Sequence, residues 1–293
     1  MPGFTTRPEI RGTFGVVATT HWLASSVAMS VLERGGNAFD AAVAAGFTLQ
    51  VVEPHLNGPL GEAPILVYRS KDRQCRMICG QGVAPQDATI AHYKGLGLDL
   101  IPGTGLLAAT VPGAFDGWAR LALDYGTLPL AELMEPALGY AEHGYPLVGR
   151  IRDTIMTVAE LFRREWTTSA AVYLPGGNPP APGRLFSNKA LAAIYRRVLA
   201  EAGAAGDRER RIERAREAWY RGFVADTIDR FCRTQQVLDS SGRRHSGVLT
   251  ADDMARWQAP VETPLTYDYH GHTVVKGGPW SQGPVLLQQL ALL

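Results

Sequence analysis

The sequence predicts an α+β fold, built as one large globular domain or two tightly joined ones. Its 293 residues are 46% hydrophobic and 19% charged, which is typical of a chain with a full buried core. Apolar residues recur at helical spacing over much of the chain. Two shorter apolar segments, 65–79 and 264–278, turn back on themselves and predict antiparallel hairpins.

The first two helices are predicted from their caps. After the strand-like "GVVAT", Thr20 is the expected N-cap of a helix that stops at the next glycine pair. Asn37, with Asp40 three residues on, predicts the start of a second helix. That helix is apolar on nearly every face, so we expect it to lie deep in the domain and to end at Pro54.

The first hairpin ends at an isolated polar residue. The strand "ILVYR", the turn "SKDR" and the strand "CRMIC" deliver Gly80, Gln81 and Gly82 to a strand end. The two glycines permit close backbone approach by another group at this strand end.

The rest of the chain is predicted to be mainly helical until its last hairpin. "GTGLLAATVPG" predicts a strand and a turn, and two helices follow, the second ending at Gly144. Residues 150–232 are mostly helical, and the mixed charges of "GDRERRIERAREAWYRG" predict a solvated helix face. Thr250, with Asp253 at the third position, predicts a capped short helix.

The last segment, "PWSQGPVLLQQLALL", predicts a helix that stops at Leu293 with no polar tail and no C-cap. Such an ending leaves an apolar face uncovered. We therefore expect the polypeptide to continue beyond Leu293.

The charge balance and cysteine pattern exclude several classes of protein. A formal charge of +1 with interspersed signs argues against nucleic acid or an anionic membrane as partner, and favours a small molecule. Cys75, Cys79 and Cys232 are odd in number and lack metal spacing, so we expect buried or half-buried thiols. Without a leader-like apolar region or a membrane span, the predicted location is cytoplasmic.

No complete catalytic constellation is visible in the residues. The glycine-rich stretches lack a Walker lysine and a full dinucleotide fingerprint, and no histidine pair has zinc-helix spacing. No G-x-S-x-G elbow occurs either. A dense, enzyme-like core without a nucleophile suggests that the reactive group lies downstream, and neither a metal nor a cofactor is predicted.

Several motifs in a fixed order resemble one family. "GGNAFDAA" and "VEP" are followed by "VPG", "YG" with "EPA", "AWYRG", "GVLTADD" and the proline-rich turn in "GGPWSQGPVLL". In this order they resemble the large-subunit portion of the gamma-glutamyltransferase family, whose members are N-terminal nucleophile hydrolases. The resemblance covers essentially the whole chain.

The resemblance implies a four-layer αββα sandwich, incomplete in this chain. Residues 1–293 would form the large-subunit part, with a mainly helical section at about 114–232 and no small subunit. A proenzyme of this kind cleaves itself, and the threonine that becomes the new N-terminus acts as nucleophile with its own amine as base. That threonine is expected after Leu293, so this chain would hold no catalytic residue and, alone, would be inactive.

Two segments depart from the family pattern. Members that handle gamma-glutamyl substrates usually have four glycines where this chain has "PLGEAP", and Gly-Arg-Glu-x-Ala-Pro where it has "GQGVAP". The arginine grips the α-carboxylate of the substrate with a planar fork, which the neutral Gln81 lacks. Gln81 therefore either recognises a different acyl group or only bonds the neighbouring backbone.

Three functions remain open at this point. The leading hypothesis is an amidohydrolase or acyltransferase for a small amide that is gamma-glutamyl-like, oxamate-like or acyl-type, with its own small subunit as partner. The alternative is a non-catalytic relative that serves as scaffold or binding protein. In the third, gamma-glutamyl transfer persists because Arg69, Arg73 or Arg76 on the same hairpin replaces the missing arginine.

Overall fold

In a computed structural model, residues 9–293 are described, so the first eight residues of the N-terminal stretch lie outside the described part. The helices in this range include two short 3₁₀ turns, Leu106–Ala108 and Pro175–Gly177. The α-helices are α1 (Trp22–Glu33), α2 (Ala38–Val52), α3 (Ile90–Gly95), α4 (Ala114–Tyr125), α5 (Leu130–His143), α6 (Gly149–Arg164), α7 (Thr167–Tyr173), α8 (Lys189–Ala202), α9 (Arg208–Tyr220), α10 (Phe223–Thr234), α11 (Ala251–Arg256) and α12 (Gly283–Leu292).

The strands of the described residues are short and antiparallel. They are β1 (Ala63–Arg69), β2 (Gln74–Gly80), β3 (Tyr145–Pro146), β4 (Leu185–Phe186), β5 (Val237–Leu238), β6 (Arg244–His245), β7 (Val261–Glu262), β8 (Leu265–Tyr269) and β9 (His272–Lys276). One sheet has three strands in the order β1-β2-β7, and three further pairs are β3-β4, β5-β6 and β8-β9. Helices combined with antiparallel strands confirm the α+β class.

Both predicted hairpins form. In the first, Ala63 lies opposite Gly80 and Arg69 lies opposite Gln74, so the strands are paired over their full length. In the second, β8 pairs with β9 across the turn at residues 270–271. The first register makes Gly80 the last residue of β2, with Gln81 directly beyond the strand.

The main core surrounds α2, which is buried along most of its length as predicted. Phe115 of α4 stacks on Trp219 of α9, with ring centroids 4.3 Å apart and planes within 4°. Phe47 of α2 meets the edge of Phe115 at 5.7 Å. Buried aromatic pairs of this kind contribute about 0.5–1.5 kcal/mol beyond the area that they bury. They join the first helices to the distant α9.

Two predicted caps are confirmed. The Asn37 side chain accepts a hydrogen bond from the Asp40 N–H at 2.9 Å, and the Asp40 carboxylate accepts from the Asn37 N–H at 3.0 Å. Thr250 and Asp253 form the same reciprocal arrangement at α11. Asp40 also accepts from the Thr127 N–H at 2.9 Å, so the start of α2 anchors the connection between α4 and α5.

The prediction that Thr20 caps α1 was wrong. The N-cap is His21, whose Nδ1 accepts from the Leu23 N–H at 3.2 Å. The hydroxyl of Thr20 instead donates to Glu53 Oε2 at 2.5 Å, at the C-terminal end of α2. An N-cap hydroxyl accepts from a backbone N–H, whereas the packing of the two helices places a carboxylate beside Thr20, and a hydrogen bond to an ionised acceptor is about twice as strong as a neutral one.

The strand predicted after Gly103 was also wrong. Residues 106–108 form a 3₁₀ turn, and Gly105 before it has φ +84°, which an extended strand does not allow. The strand-like segment 15–19 likewise belongs to no strand of the described residues. Apolar character alone predicted both strands, but a strand also needs a neighbour with which to share hydrogen bonds.

The charged helix α9 is not simply a solvated face. Ile212, Ala215, Arg216 and Trp219 are buried, at the spacing of one helical stripe. The surrounding arginines and glutamates hid this stripe, so the sequence prediction was wrong for Arg216.

The last helix, α12, packs on the β8-β9 hairpin through Leu287. Val285 is 55% exposed and Leu292 is 81% exposed, so the described residues leave part of its apolar surface in solvent, as predicted.

Candidate functional site

Gln81 is half-buried at the end of β2. Its backbone carbonyl lies 3.8 Å from the sulfur of Cys79. Its side-chain amide makes no hydrogen bond to any residue in the range 9–293, so the purely local role, a bond to the neighbouring backbone, is not observed there. The amide is therefore available to another molecule.

The glycines beside Gln81 serve the packing of the chain itself. A Cβ on Gly82 would lie 2.6 Å from the carbonyl carbon of Val111, and a Cβ on Gly113 would lie 2.8 Å from the Gly82 nitrogen. Real Cβ atoms do not approach so closely, so backbone meets backbone at these positions. The close approach predicted from the two glycines is real, but the partner is the chain itself: Val111 for Gly82, and the Ala63 carbonyl oxygen, which a Cβ would overlap, for Gly80.

Residues 111–114 also contact the loop "PLGEAP", the other segment that departs from the family pattern. The carbonyl of Gly61, in "PLGEAP", accepts from the Gly113 N–H at 3.0 Å and from the Ala114 N–H at 2.9 Å. The Val111 N–H donates to the Val83 carbonyl at 3.0 Å, just after Gln81. The loops at 59–64 and 80–85 are therefore joined through one turn at the start of α4, which sequence reasoning did not predict.

A buried polar network fixes the turn at the start of α4. The Tyr220 hydroxyl donates to the Pro112 carbonyl at 2.6 Å, and burial raises the pKa of Tyr220 well above its usual value. Asp116 of α4 accepts from Arg216 Nε at 2.5 Å and from the Ala259 N–H at 2.6 Å. The only sequence signal for this network was an acidic residue inside the otherwise apolar stretch "GAFDGWA".

A second anchor holds the loop that follows β2 at its C-terminal end, near Gln86. The Gln86 N–H donates to Asp253 at 3.0 Å, next to the helix cap formed with Thr250. Burial by itself raises the pKa of the Asp253 carboxyl, but the hydrogen bonds from Gln86 and Thr250 outweigh it and lower that pKa. The backbone on both sides of Gln81 is thus fixed to buried groups.

Comparison with known proteins decides the family. The family model described as gamma-glutamyltranspeptidase matches residues 24–293. The chain belongs to the gamma-glutamyltranspeptidase family. The resemblance seen in the sequence motifs is thereby confirmed.

Three curated relatives have different names. They are the glutathione hydrolase-like YwrD proenzyme of Bacillus subtilis (32% identical, 97% of this chain, 50% of the relative), the acylase ACY 1 proenzyme of Pseudomonas sp. strain SE83 (30%, 95% and 47%) and the oxamate amidohydrolase proenzyme of Klebsiella pneumoniae (31%, 96% and 49%). The chain spans about half the length of these relatives.

Two solved structures have the same fold over nearly all of the chain. LmbA2991HD is 61% identical with a TM-score of 0.95, and the match covers 99% of this chain and 50% of that one. The gamma-glutamyltranspeptidase of Helicobacter pylori is 27% identical with a TM-score of 0.81, and covers 96% and 75%.

The three arginines of the β1-β2 hairpin do not approach Gln81. Arg69 pairs with Asp72 at 2.5 Å, and Arg73 lies in the turn with φ +54°. Arg76 precedes Gln81 by five residues in an extended strand, which separates their Cα atoms by about 16 Å. The third hypothesis, in which one of these arginines replaces the family arginine, therefore lacks structural support.

The cysteines have the expected surroundings. Cys79 and Cys232 are buried and Cys75 is half-buried, and all three are free thiols. Burial raises the pKa of the Cys79 and Cys232 thiols, which makes them poor nucleophiles.

His245 is paired with a carboxylate, and His21 and His55 are affected by burial. His245 Nδ1 lies 2.6 Å from Asp239, which also accepts from the Ser241 hydroxyl, so among the described residues this serine bonds to the carboxylate and not to the imidazole. Burial lowers the pKa of His21 and of His55, although the nearby Glu53 opposes the shift.

The described residues contain neither a metal cluster nor a membrane-spanning helix. Within residues 9–293, no group of three or more His, Cys, Asp or Glu side chains is arranged to hold a metal ion. No helix in the same range combines the length and the apolar character needed to cross a bilayer.

Proposed function

We propose that this chain is the large-subunit part of an amidohydrolase or acyltransferase that acts on a small amide without an ordinary gamma-glutamyl group. The observation that carries the proposal is the neutral side chain of Gln81, which is half-buried and makes no hydrogen bond to residues 9–293, at the position where gamma-glutamyl enzymes of the family have an arginine. A hydrogen bond to a charged group contributes about 1.5–3 kcal/mol, so a free α-carboxylate would bind more weakly here by one or two orders of magnitude.

The relatives support a change of acyl group within the family. Their names include an acylase and an oxamate amidohydrolase beside glutathione hydrolases. We infer that Gln81 offers an amide donor and acceptor to a neutral or differently charged acyl group.

The chemistry would follow the family scheme. The relatives are named proenzymes, which supports self-cleavage into two subunits. The nucleophile would be the threonine at the new N-terminus of the small subunit, activated by its own amine, and an acyl-enzyme would be resolved by water or an amine. The same small subunit would complete the αββα sandwich. The cytoplasmic location and the domain limits stay predictions from the sequence.

One observation is compatible with the non-catalytic alternative as well as with the enzyme. The two loops that depart from the family pattern, 59–64 and 80–85, are neighbours joined through residues 111–114. A coordinated change at one place fits loss of a catalytic site as well as a change of substrate.

The test uses the longest reading frame that contains this chain. We expect two subunits on a denaturing gel and turnover of an oxamate or acyl amide in preference to gamma-glutamyl-p-nitroanilide. A single uncleaved band without turnover of any amide contradicts the enzyme proposal and supports the scaffold.

A point variant tests the role of Gln81. Gln81→Arg should raise the kcat/KM for gamma-glutamyl-p-nitroanilide by about 10-fold to 100-fold, because the guanidinium restores a charged bond. The matched control is Gln86→Arg, which adds the same charge at an exposed position on the same loop and should change nothing. Equal activities for both variants would show that position 81 does not face the substrate.

A further inference from the structure

Glu62 lies opposite Gln81 across the open end of the β1-β2 hairpin. In the ladder, Ala63 pairs with Gly80. The next pair outward in the same register is Glu62 with Gln81. Residues directly opposite each other in an antiparallel pair point to the same face and have Cβ atoms about 4.5–5.5 Å apart. The two side chains are therefore neighbours at the strand end.

One glycine holds the two chain segments together beyond this pair. The Gly113 N–H donates to the Gly61 carbonyl at 3.0 Å. The position of a Cβ on the same Gly113 lies 2.8 Å from the Gly82 nitrogen. Residues 61 and 82 are the following pair of the register, and both contact Gly113. The backbone at Glu62 is thus kept beside the backbone at Gln81.

The carboxylate of Glu62 is exposed and forms no ion pair or hydrogen bond with any residue in the range 9–293. Its effect reaches the end of β2: burial raises the pKa of the Cys79 thiol, and the charges of Glu262 and Glu62 raise it further. Glu262 already accepts from the indole N–H of Trp280 at 2.8 Å. Glu62 is therefore the carboxylate that is available to another molecule.

No cation in the lining of the adjoining cleft offsets this charge. The cleft has a volume of about 620 Å³, and the loop 54–62 and helix α8 line it. Its lining includes Glu62 and contains no lysine or arginine. His55 lies in the same lining, and burial lowers its pKa, which keeps the imidazole neutral near pH 7. The strand end thus combines an anion with a neutral amide.

We propose that the acyl group of the substrate carries a cation, an ammonium or guanidinium group, which pairs with Glu62 and donates an N–H to the side-chain carbonyl of Gln81. A carboxylate at the same place would be repelled by the charge of Glu62. A neutral apolar group would gain neither bond. The inference rests on the proposed function, which makes Gln81 a substrate-facing residue, and it adds the sign of the charge on the substrate.

Three small alcohols of similar length test the sign of this charge. 5-Aminopentan-1-ol is a cation, hexan-1-ol is neutral and 5-hydroxypentanoate is an anion, and none contains a bond that an amidohydrolase cleaves. Ligand-observed NMR would measure their dissociation constants on the longest reading frame that contains this chain. The cation should bind about tenfold more tightly than hexan-1-ol, and the anion should bind more weakly than both. A cation that binds no more tightly than hexan-1-ol overturns the proposal.

A matched pair of variants tests whether Glu62 is the cause. Glu62→Gln removes the charge and keeps the shape of an exposed side chain, so the preference for the cation should fall below about twofold. Glu33→Gln removes another exposed carboxylate, at the end of α1 and four residues before the cap of α2. The length of α2, about 22 Å, separates it from the loop of Glu62. A preference that persists in Glu62→Gln, or that both variants reduce equally, overturns the assignment.

Cleavage distinguishes this inference from the proposed function. The substrates are the p-nitroanilides of 5-aminopentanoic acid and hexanoic acid. If the hexanoyl anilide is cleaved with a kcat/KM equal to or above that of the aminopentanoyl anilide, the amidohydrolase stands and this inference is overturned. If the aminoalcohol binds preferentially and no amide is cleaved, the cation site is supported and the proposed catalysis is contradicted.

Discussion

Val111 stands where a side chain on Gly82 would have to be. The Val111 carbonyl carbon lies 2.6 Å from the position of a Cβ at residue 82, and the Val111 N–H bonds to the next carbonyl along, that of Val83. The backbone that carries Gln81 is thus clamped by a segment almost thirty residues away in the chain. This clamp explains the glycine after Gln81, and the Ala63 carbonyl oxygen, which a Cβ on Gly80 would overlap, explains the glycine before it.

We predict that Gly82→Ala destabilises the fold by about 3 kcal/mol or more, because backbone atoms cannot yield as a flexible side chain can. Urea unfolding followed by circular dichroism measures the loss. Gly139→Ala is the control: Gly139 lies inside α5 with no atom within 4 Å of a new Cβ, so alanine should stabilise by about 0.8–1 kcal/mol. Similar effects of the two changes would argue against the clamp.

The buried pair of Asp116 and Arg216 gives a second prediction. The two side chains are 2% and 7% exposed, and they join α4 to α9. Asp116→Asn leaves the buried arginine with Glu213, 2.8 Å from its Nη1 and partly exposed, as its remaining counter-charge, so we expect a loss of about 3 kcal/mol in the free energy of unfolding. Thermal and urea unfolding would measure it.

A matched control lies on the same helix. Asp124 pairs with Arg120 at 2.6 Å in a partly exposed i,i+4 pair, and Asp124→Asn should change stability by no more than about 0.5 kcal/mol. A change at Asp116 as small as the one at Asp124 would contradict the network.

The third prediction concerns the pH dependence of stability. Burial lowers the folded-state pKa of His21 below the ordinary value of 6.5, despite the opposing charge of Glu53. As the pH falls below 6.5, the unfolded chain takes up a proton at this residue before the folded chain does. Stability should therefore be full above pH 6.5 and decline as the pH falls through the folded-state pKa.

The variant His21→Asn keeps a good N-cap and removes the titrating ring, so its stability should depend less on pH between 6.5 and 5. His143→Gln removes a histidine whose side chain is 78% exposed, and should leave the slope unchanged. Parallel pH profiles for wild type and His21→Asn in urea titrations would contradict the assignment to His21.

The features predicted correctly from the sequence are those whose causes are local. The caps at Asn37 and Thr250 satisfy backbone donors within three residues. The hairpin at 63–80 follows from two apolar runs, one on either side of a single turn. The order of motifs also led to the family. Where a partner came from elsewhere in the chain, local signals misled: Thr20 bonds Glu53, and "GTGLL" found no neighbouring strand.

The surroundings of Gln81 and Gln50 depend on contacts between residues far apart in the chain. The clamp by residues 111–113, the pair of Asp116 with Arg216 and the bond from Tyr195 to Gln50 join residues about 30, 100 and 145 positions apart. Such contacts depend on how helices pack, which no short pattern encodes. Sequence identified Gln81 as the unusual residue, and packing left its amide free while holding its backbone in place.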